Sequence, residues 1–267
     1  QFEVAAAASL VLGLYAFTLP KCPPKLVAAN NRSLTDRLGL TSFVLFKNRN
    51  MAVFFVFTML LGAALQLTNA YGDAFLSDFV KVPAYANLLT VKYSTIIISI
   101  SQFSETAFIL TIPFFLKRFG IKAVMTMSML AWVLRFGLFA FGNPDPLGGL
   151  WMIVLSCIVY GMAFDFFNIS GSLFVEGQAD PKIRASAQGL FMLMTNGVGA
   201  VLGSLAAGFV IDRFFTNHTC NDAVLICKDW RGIWLAFAGY ALVMAVLFVP
   251  LFRHRHDPAA ARAVPTH

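Results

Sequence analysis

Charge is scarce in this chain: 12% of its 267 residues are Asp, Glu, Lys or Arg, against 58% that are hydrophobic. A soluble domain needs a water-facing shell and cannot be built from that ratio. Alternating segments of about ten residues are also lacking, which excludes a transmembrane β-barrel. The apolar runs are longer, near twenty residues, and apolar on every face. Each reads as a helix that satisfies its own backbone in lipid. The chain has 4 cysteines and 4 histidines. The cysteines have no metal-ligand spacing, and His218, His254, His256 and His267 fall in loops or the tail, so no metal site and no cofactor is expected. With no Ser/His pair and no paired carboxylates on one helix, an embedded hydrolase or other enzyme is not expected either. An initiator methionine is missing as well: the sequence starts at Gln1 and an apolar run follows from Val4. The expectation is that the protein continues upstream.

What is present is a series of spans at residues 4–20, 51–71, 93–116, 121–141, 149–174, 186–211 and 232–252. Each has roughly the 17–25 residues needed to cross a hydrocarbon layer about 30 Å thick. The expected class is therefore an all-α membrane protein. The net charge of +7 does not imply nucleic acid, because the basic residues sit in short loops between spans. Lys21, Lys25, Arg32, Arg37, Lys47 and Arg49 fill the first loop, Lys117, Arg118 and Lys122 the third, and Arg253, Arg255 and Arg262 the tail. These segments are expected on the cytoplasmic side, and the loops at 72–92 and 142–148 outside. In the first loop, the run from Ser33 to Asp36 reads either as a capping box opening a short helix, with Leu34, Leu38 and Leu45 on one face, or as an ordinary surface loop. Cys220 and Cys227 share an outward loop where an oxidising compartment allows a disulfide, whereas Cys22 and Cys157 are expected to stay reduced.

Polar residues inside the spans carry the functional signal. Glu105 lies near the middle of an apolar run, where a charge costs on the order of 2.5–3.5 kcal/mol unless it faces a polar cavity or holds a proton. Gln66 and Asn69 in one span, and Gln102 and Glu105 in the next, are each spaced i, i+3 and share a helical face. Amides offer donors and acceptors together, which suits a neutral solute with several hydrogen-bonding groups; the alternative is that they glue helices together. Tyr160 and Phe164, at i, i+4, can hold a planar ring or simply pack. Asp165 is a second acid in a span, open either to a transport role or to pairing with a cytoplasmic basic residue. Arg135 either snorkels outward or pairs with an acid. Gly199, Gly203 and Ala207 form a small-residue stripe that permits close helix approach. Pro113 is expected to kink its helix.

These blocks resemble a known family. Residues 61–72 (LGAALQLTNAYG), 100–106 (ISQFSET), 160–172 (YGMAFDFFNISGS) and 183–189 (IRASAQG) are similar to the bacterial nucleoside:proton symporters of the major facilitator superfamily. Residues 115–122 (FLKRFGIK) also resemble the short basic loop that recurs in each half of that superfamily.

The resemblance implies a twelve-span carrier of which this chain shows the sixth span onward. Residues 1–20 would then be the last helix of a truncated N-terminal half, 21–50 a cytoplasmic linker with a short amphipathic helix, 51–252 the C-terminal six-helix domain and 253–267 a cytoplasmic tail. It also implies a nucleoside site in which Gln66, Asn69, Gln102 and Glu105 hydrogen-bond ribose or base and Tyr160 and Phe164 pack on the nucleoside. The coupling ion is H+, with Glu105 and then Asp165 as proton-carrying candidates. The expected function is proton-coupled nucleoside uptake by alternating access across the bacterial inner membrane, in a protein that works as a monomer in the lipid bilayer. The alternatives are a carrier of another small polar solute such as a sugar and, on the span count alone, a seven-helix receptor.

Overall fold

The computed structural model describes residues 2–20, 39–146, 148–217 and 227–254. The elements fall into two units, Gln1–Leu38 and Gly39–His267. The first holds helix α1, Phe2–Ala16, whose described side chains are all exposed although most are apolar. Beyond it the Thr18 hydroxyl donates to the Tyr15 carbonyl at 2.7 Å and closes the last turn.

The second unit is a helical bundle. Its helices are α2 (Arg49–Asp78), α3 and α4 (the two parts, 94–119 and 121–141, of the helical stretch Ser94–Phe141), α5 (Leu150–Gln178), α6 (Arg184–Phe215) and α7 (Trp230–Leu251). The stretch Ser94–Phe141 has 48 residues. A straight helix of that length would run roughly 70 Å, more than twice a bilayer core of about 30 Å. Gly120 divides it: φ 78°, ψ 168° is a backbone conformation that side-chain-bearing residues rarely reach. Lys117, Arg118 and Lys122 flank this turn, and the Lys122 ammonium donates to the Val249 carbonyl on α7 at 2.8 Å. The stretch is thus two helices, 94–119 and 121–141, each of a length suited to one crossing. The break falls at Gly120, and the helix continues through Pro113.

Each end of the bundle is tied by side chains. Asn48 caps α2 by accepting from the Asn50 amide at 2.9 Å, and Asp229 caps α7 by accepting from the Gly232 amide at 3.0 Å. The Asn50 side chain donates to the Arg253 carbonyl and accepts from the Arg253 amide, joining the start of α2 to the end of α7. At the opposite end α2 runs to Asp78, beyond the boundary expected at Tyr71. The polar residues that suggest a loop are satisfied on the helix: Asp73 accepts from the Ser94 hydroxyl at 2.6 Å, and Asp78 accepts from Trp230 Nε1 and Lys81 Nζ, each at 2.9 Å. Phe75, Phe139, Trp230 and Trp234 cluster beside them, with Phe139 and Trp234 centroids 4.8 Å apart. Such ring pairs add about 0.5–1.5 kcal/mol each beyond their burial.

Two seams set the helix spacing. Along α2 and α6, a Cβ placed on Gly62 would lie 2.0 Å from the Thr195 carbonyl oxygen, on Gly199 2.3 Å from the Met59 carbonyl oxygen, and on Gly203 2.5 Å from Ala63 Cα. The expected close approach at the small-residue stripe is therefore present, with α2 as its partner. Here α6 widens into a π-helical segment, Leu193–Gly199, which the sequence pattern did not suggest. Along α3 and α5, a Cβ on Gly161 would lie 2.6 Å from the Ser104 backbone, and the Ser104 hydroxyl donates to the Ile158 carbonyl.

In the expected linker, a 3-10 helix spans Leu40–Lys47 after Gly39 (φ 72°), with Leu45 buried. The capping box from Ser33 to Asp36, with Leu34 and Leu38, lies outside the described residues, as do Cys22 and Cys220. Cys157 is free and buried. Cys227 is disulfide-bonded, but its expected partner Cys220 is not described.

Candidate functional site

The α3–α5 seam assembles the acid cluster. Because Ser104 and Gly161 bring the two helices to backbone contact, their sequence neighbours Glu105 and Tyr160 come close enough for the carboxyl and the phenol to interact. Tyr160 is 6% exposed and Glu105 half-buried. Phe164, one turn further along α5, lies parallel to the Tyr160 ring with centroids 5.8 Å apart and an interplanar angle of 2°. Asp165 follows, 6% exposed, with Oδ2 buried and without a hydrogen-bond partner. Its charge is felt at Tyr160, and it feels that of Glu105. No ion pair with a basic residue is formed by Asp165 among the described residues, so the pairing alternative has no support there.

Arg135, which the sequence alone left between two readings, does not snorkel and, among the described residues, forms no direct ion pair with an acid. It is 1% exposed on α4. Its Nη1 donates to the Ser156 carbonyl at 2.7 Å, the Ser156 hydroxyl returns a bond to the Arg135 carbonyl at 3.0 Å, and the guanidinium carbon sits 4.3 Å from the Tyr160 ring centroid and 5.0 Å from that of Phe139. Glu105 lies within its electrostatic reach. The available signal was a single charge inside an otherwise apolar run, but Ser156 and Tyr160 reside on another helix and offer it a backbone carbonyl and a ring face.

The amides are placed differently. Gln66 is half-buried on α2, while Asn69 on α2 and Gln102 on α3 are exposed. Gln102 shares the helical face of Glu105 by its i, i+3 spacing. None of the three side chains has a hydrogen-bond partner among the described residues, so the interhelical-glue alternative is not what they do within this bundle. The structure brings together Glu105, Tyr160, Phe164 and Asp165, adds Arg135, and leaves Gln66, Asn69 and Gln102 with unengaged amides. Tyr160 has little free ring surface, since Arg135, Phe164 and, edge-on, Trp132 at 5.8 Å surround it. Phe164 keeps more.

A multi-span helical bundle with carboxyls and free amides at the level of its spans is the architecture of a membrane carrier. The sequence model of the nucleoside H+ symporters matches residues 1–257. The xanthosine permease of Escherichia coli (strain K12) is 57% identical over 258 residues, covering 97% of this chain and 59% of that protein. The nucleoside permease NupG of the same organism is 52% identical over 256 residues, covering 96% of this chain and 59% of NupG. Crystal structures of the nucleoside transporter NupG and of an aspartate-to-alanine mutant of it superpose with TM-scores of 0.75 and 0.79 at 52% identity, over 94% of this chain and 60% of theirs. The chain belongs to the nucleoside:proton symporter family, with the all-α fold of the major facilitator superfamily. It spans about three-fifths of the length of these relatives.

Proposed function

We propose that the protein takes up nucleosides across the bacterial inner membrane by alternating access, coupled to protons moving down their gradient. The observation that carries this reading is the grouping of Glu105, Tyr160 and Asp165 between neighbouring helices, two acids and a phenol within apolar spans, in a chain of the nucleoside symporter family. The relatives are named as permeases of xanthosine and of nucleosides, which points to the substrate class and away from an enzyme. In this reading Gln66, Asn69, Gln102 and Glu105 hydrogen-bond the ribose or base, and Phe164 packs on the nucleoside with Tyr160 behind it. Residues 51–252 form the C-terminal six-helix domain, and residues 1–20 supply the last helix of an N-terminal half that provides the opposite wall. The loop after α1 and the tail after α7 face the cytoplasm, Cys220 pairs with Cys227 outside, and the protein acts as a monomer.

Coupling requires that the proton-loaded, nucleoside-bound carrier change conformation more readily than partly loaded forms. Glu105 is the proton carrier in this scheme and Asp165 the runner-up. The test is uptake of labelled uridine by the full-length protein in proteoliposomes under an imposed pH gradient, with adenosine, inosine and a sugar as competitors. Nucleosides should compete and the sugar should not; failure of every nucleoside to compete overturns the substrate assignment in favour of another small polar solute. Glu105→Gln should abolish gradient-driven accumulation. Full gradient dependence in that variant removes Glu105 from the coupling role.

A further inference from the structure

The mechanism proposed above does not use Arg135, a guanidinium buried beside its acid. A charge withdrawn from water carries a penalty of several kcal/mol that only good partners offset. Arg135 has partners on two sides: the Ser156 carbonyl at 2.7 Å, and the rings of Tyr160 and Phe139 at 4.3 and 5.0 Å. Its Nε remains without a partner. A methionine or leucine would fill such an apolar position at no electrostatic penalty, so a purely space-filling role does not account for the charge.

The groups facing it are few. From α3 comes Glu105, and from α5 come Cys157 and Tyr160, with Asp165 acting in turn on Tyr160 and Glu105. On α7 the charged residue is Arg231, which lies over the Phe141 ring at 4.9 Å, and the Tyr240 hydroxyl is occupied by the Leu60 carbonyl at 2.7 Å. The Tyr160 ring therefore sits between a fixed cation on its face and a carboxyl at its hydroxyl edge.

We infer that Arg135 is a positioning residue and internal counter-charge for Glu105: clamped to Ser156 and to the Tyr160 ring, it aims the Tyr160 hydroxyl at the carboxyl and stabilises the carboxylate once the proton has left. This inference rests on the proton-coupled reading given above. It makes proton release from Glu105 depend on a cation that never touches the solute. Without it, the carboxylate would face Asp165 with no compensating positive charge from α4.

The test reads the proton on Glu105 without using transport. Dicyclohexylcarbodiimide reacts with a protonated carboxyl: the acid proton passes to a carbodiimide nitrogen, the carboxyl oxygen bonds to the central carbon, and one C=N π bond is consumed to give an O-acylisourea, whose acyl group then moves from oxygen to nitrogen, as the acyl C–O bond breaks and an N–C bond forms, to leave the stable N-acylurea. Mass spectrometry of the Glu105 peptide from the solubilised full-length protein, across a pH series, gives the midpoint at which labelling is lost. Removing a nearby cation destabilises the carboxylate, so in Arg135→Gln the proton is held to higher pH and the midpoint should rise by about one unit. Arg135→Lys keeps the charge and should stay nearer the wild-type midpoint than Arg135→Gln does. A midpoint in Arg135→Gln equal to that of wild type, in protein that still unfolds cooperatively on heating, overturns the inference. If Arg135→Gln fails to fold, Tyr160→Phe decides: it keeps the ring over the guanidinium and removes the hydroxyl, and an unmoved midpoint there also overturns it. A wild-type protein that carries no nucleoside in the uptake assay sinks the functional reading, while the labelling series still reports on Arg135.

Discussion

The α2–α6 and α3–α5 seams are both built on glycines pressed against a neighbouring backbone, yet they hold by different forces. In the first, Gly62, Gly199 and Gly203 admit the opposing helix to contact distance, and Thr195, the buried hydroxyl at that contact, bonds back to Phe191 of its own helix at 2.9 Å. In the second, Ser104 of α3 bonds across to the Ile158 carbonyl, and α4 extends this polar seam along α5 with Ser128 to the Ala163 carbonyl and the reciprocal pair of Arg135 and Ser156. Lipid tails are as apolar as leucine, so helices in a bilayer gain little from hydrophobic burial against each other. They hold by close packing or by polar bonds. The packed seam has no need of charge. The bonded seam supplies donors and acceptors among which an arginine and two acids can be kept, and that is where the candidate site lies.

The largest effect should come from the packed seam. In Gly62→Ala the new Cβ would meet the Thr195 carbonyl oxygen at 2.0 Å, a backbone atom that cannot rotate aside. The expected destabilisation is at or above the upper end of the ~1–3 kcal/mol usual for overpacking. Thermal unfolding of the purified full-length protein, followed by tryptophan fluorescence, checks it. A Tm equal to that of wild type would mean that the two helices are not in backbone contact.

How far the sequence carried these conclusions differs between the two seams. The stripe of Gly199, Gly203 and Ala207 announced a close approach, because small residues at i, i+4 let another backbone come up to that helix face. Its partner on α2 was not legible, since Gly62 and Ala63 lie among ordinary apolar neighbours. The apolar helices of the second unit were readable from hydropathy, whereas the end of α2 was not, because Asp73 and Asp78 look like loop residues until Ser94, Lys81 and Trp230 are brought to them. At the site, Glu105, Tyr160 and Phe164 were visible from residue type and spacing. What spacing could not show is that Arg135 covers the Tyr160 ring, because that contact joins helices with no sequence relation to each other.

Asp165 sits within the bonded seam but outside its bonds, and a variant there should act with intermediate size and opposite sign. Its Oδ2 is buried and unpartnered, and a neutral amide is less costly to bury than an ionised carboxyl. Asp165→Asn should therefore raise Tm, by roughly 2–4 °C for each kcal/mol of burial penalty relieved. If Glu105 carries the proton, the variant should still accumulate nucleoside under a pH gradient. Loss of that dependence, with Glu105→Gln retaining it, would transfer the coupling role to Asp165.

The smallest effect should come from a single bond of the polar seam, and its smallness is what distinguishes the two. Ser128→Ala removes the hydroxyl that reaches the Ala163 carbonyl from α4 to α5. Interhelical bonds in membrane proteins average about 0.6 kcal/mol, because the same groups find other partners when the helices separate within the bilayer. A carbonyl already bonded inside its own helix loses only its second acceptor site, so Ser128→Ala should lower Tm by no more than about 1–2 °C at that energy. A loss as large as that of Gly62→Ala would show that the polar seam depends on individual hydrogen bonds, and the contrast between a seam held by contact and a seam held by many weak bonds would fall.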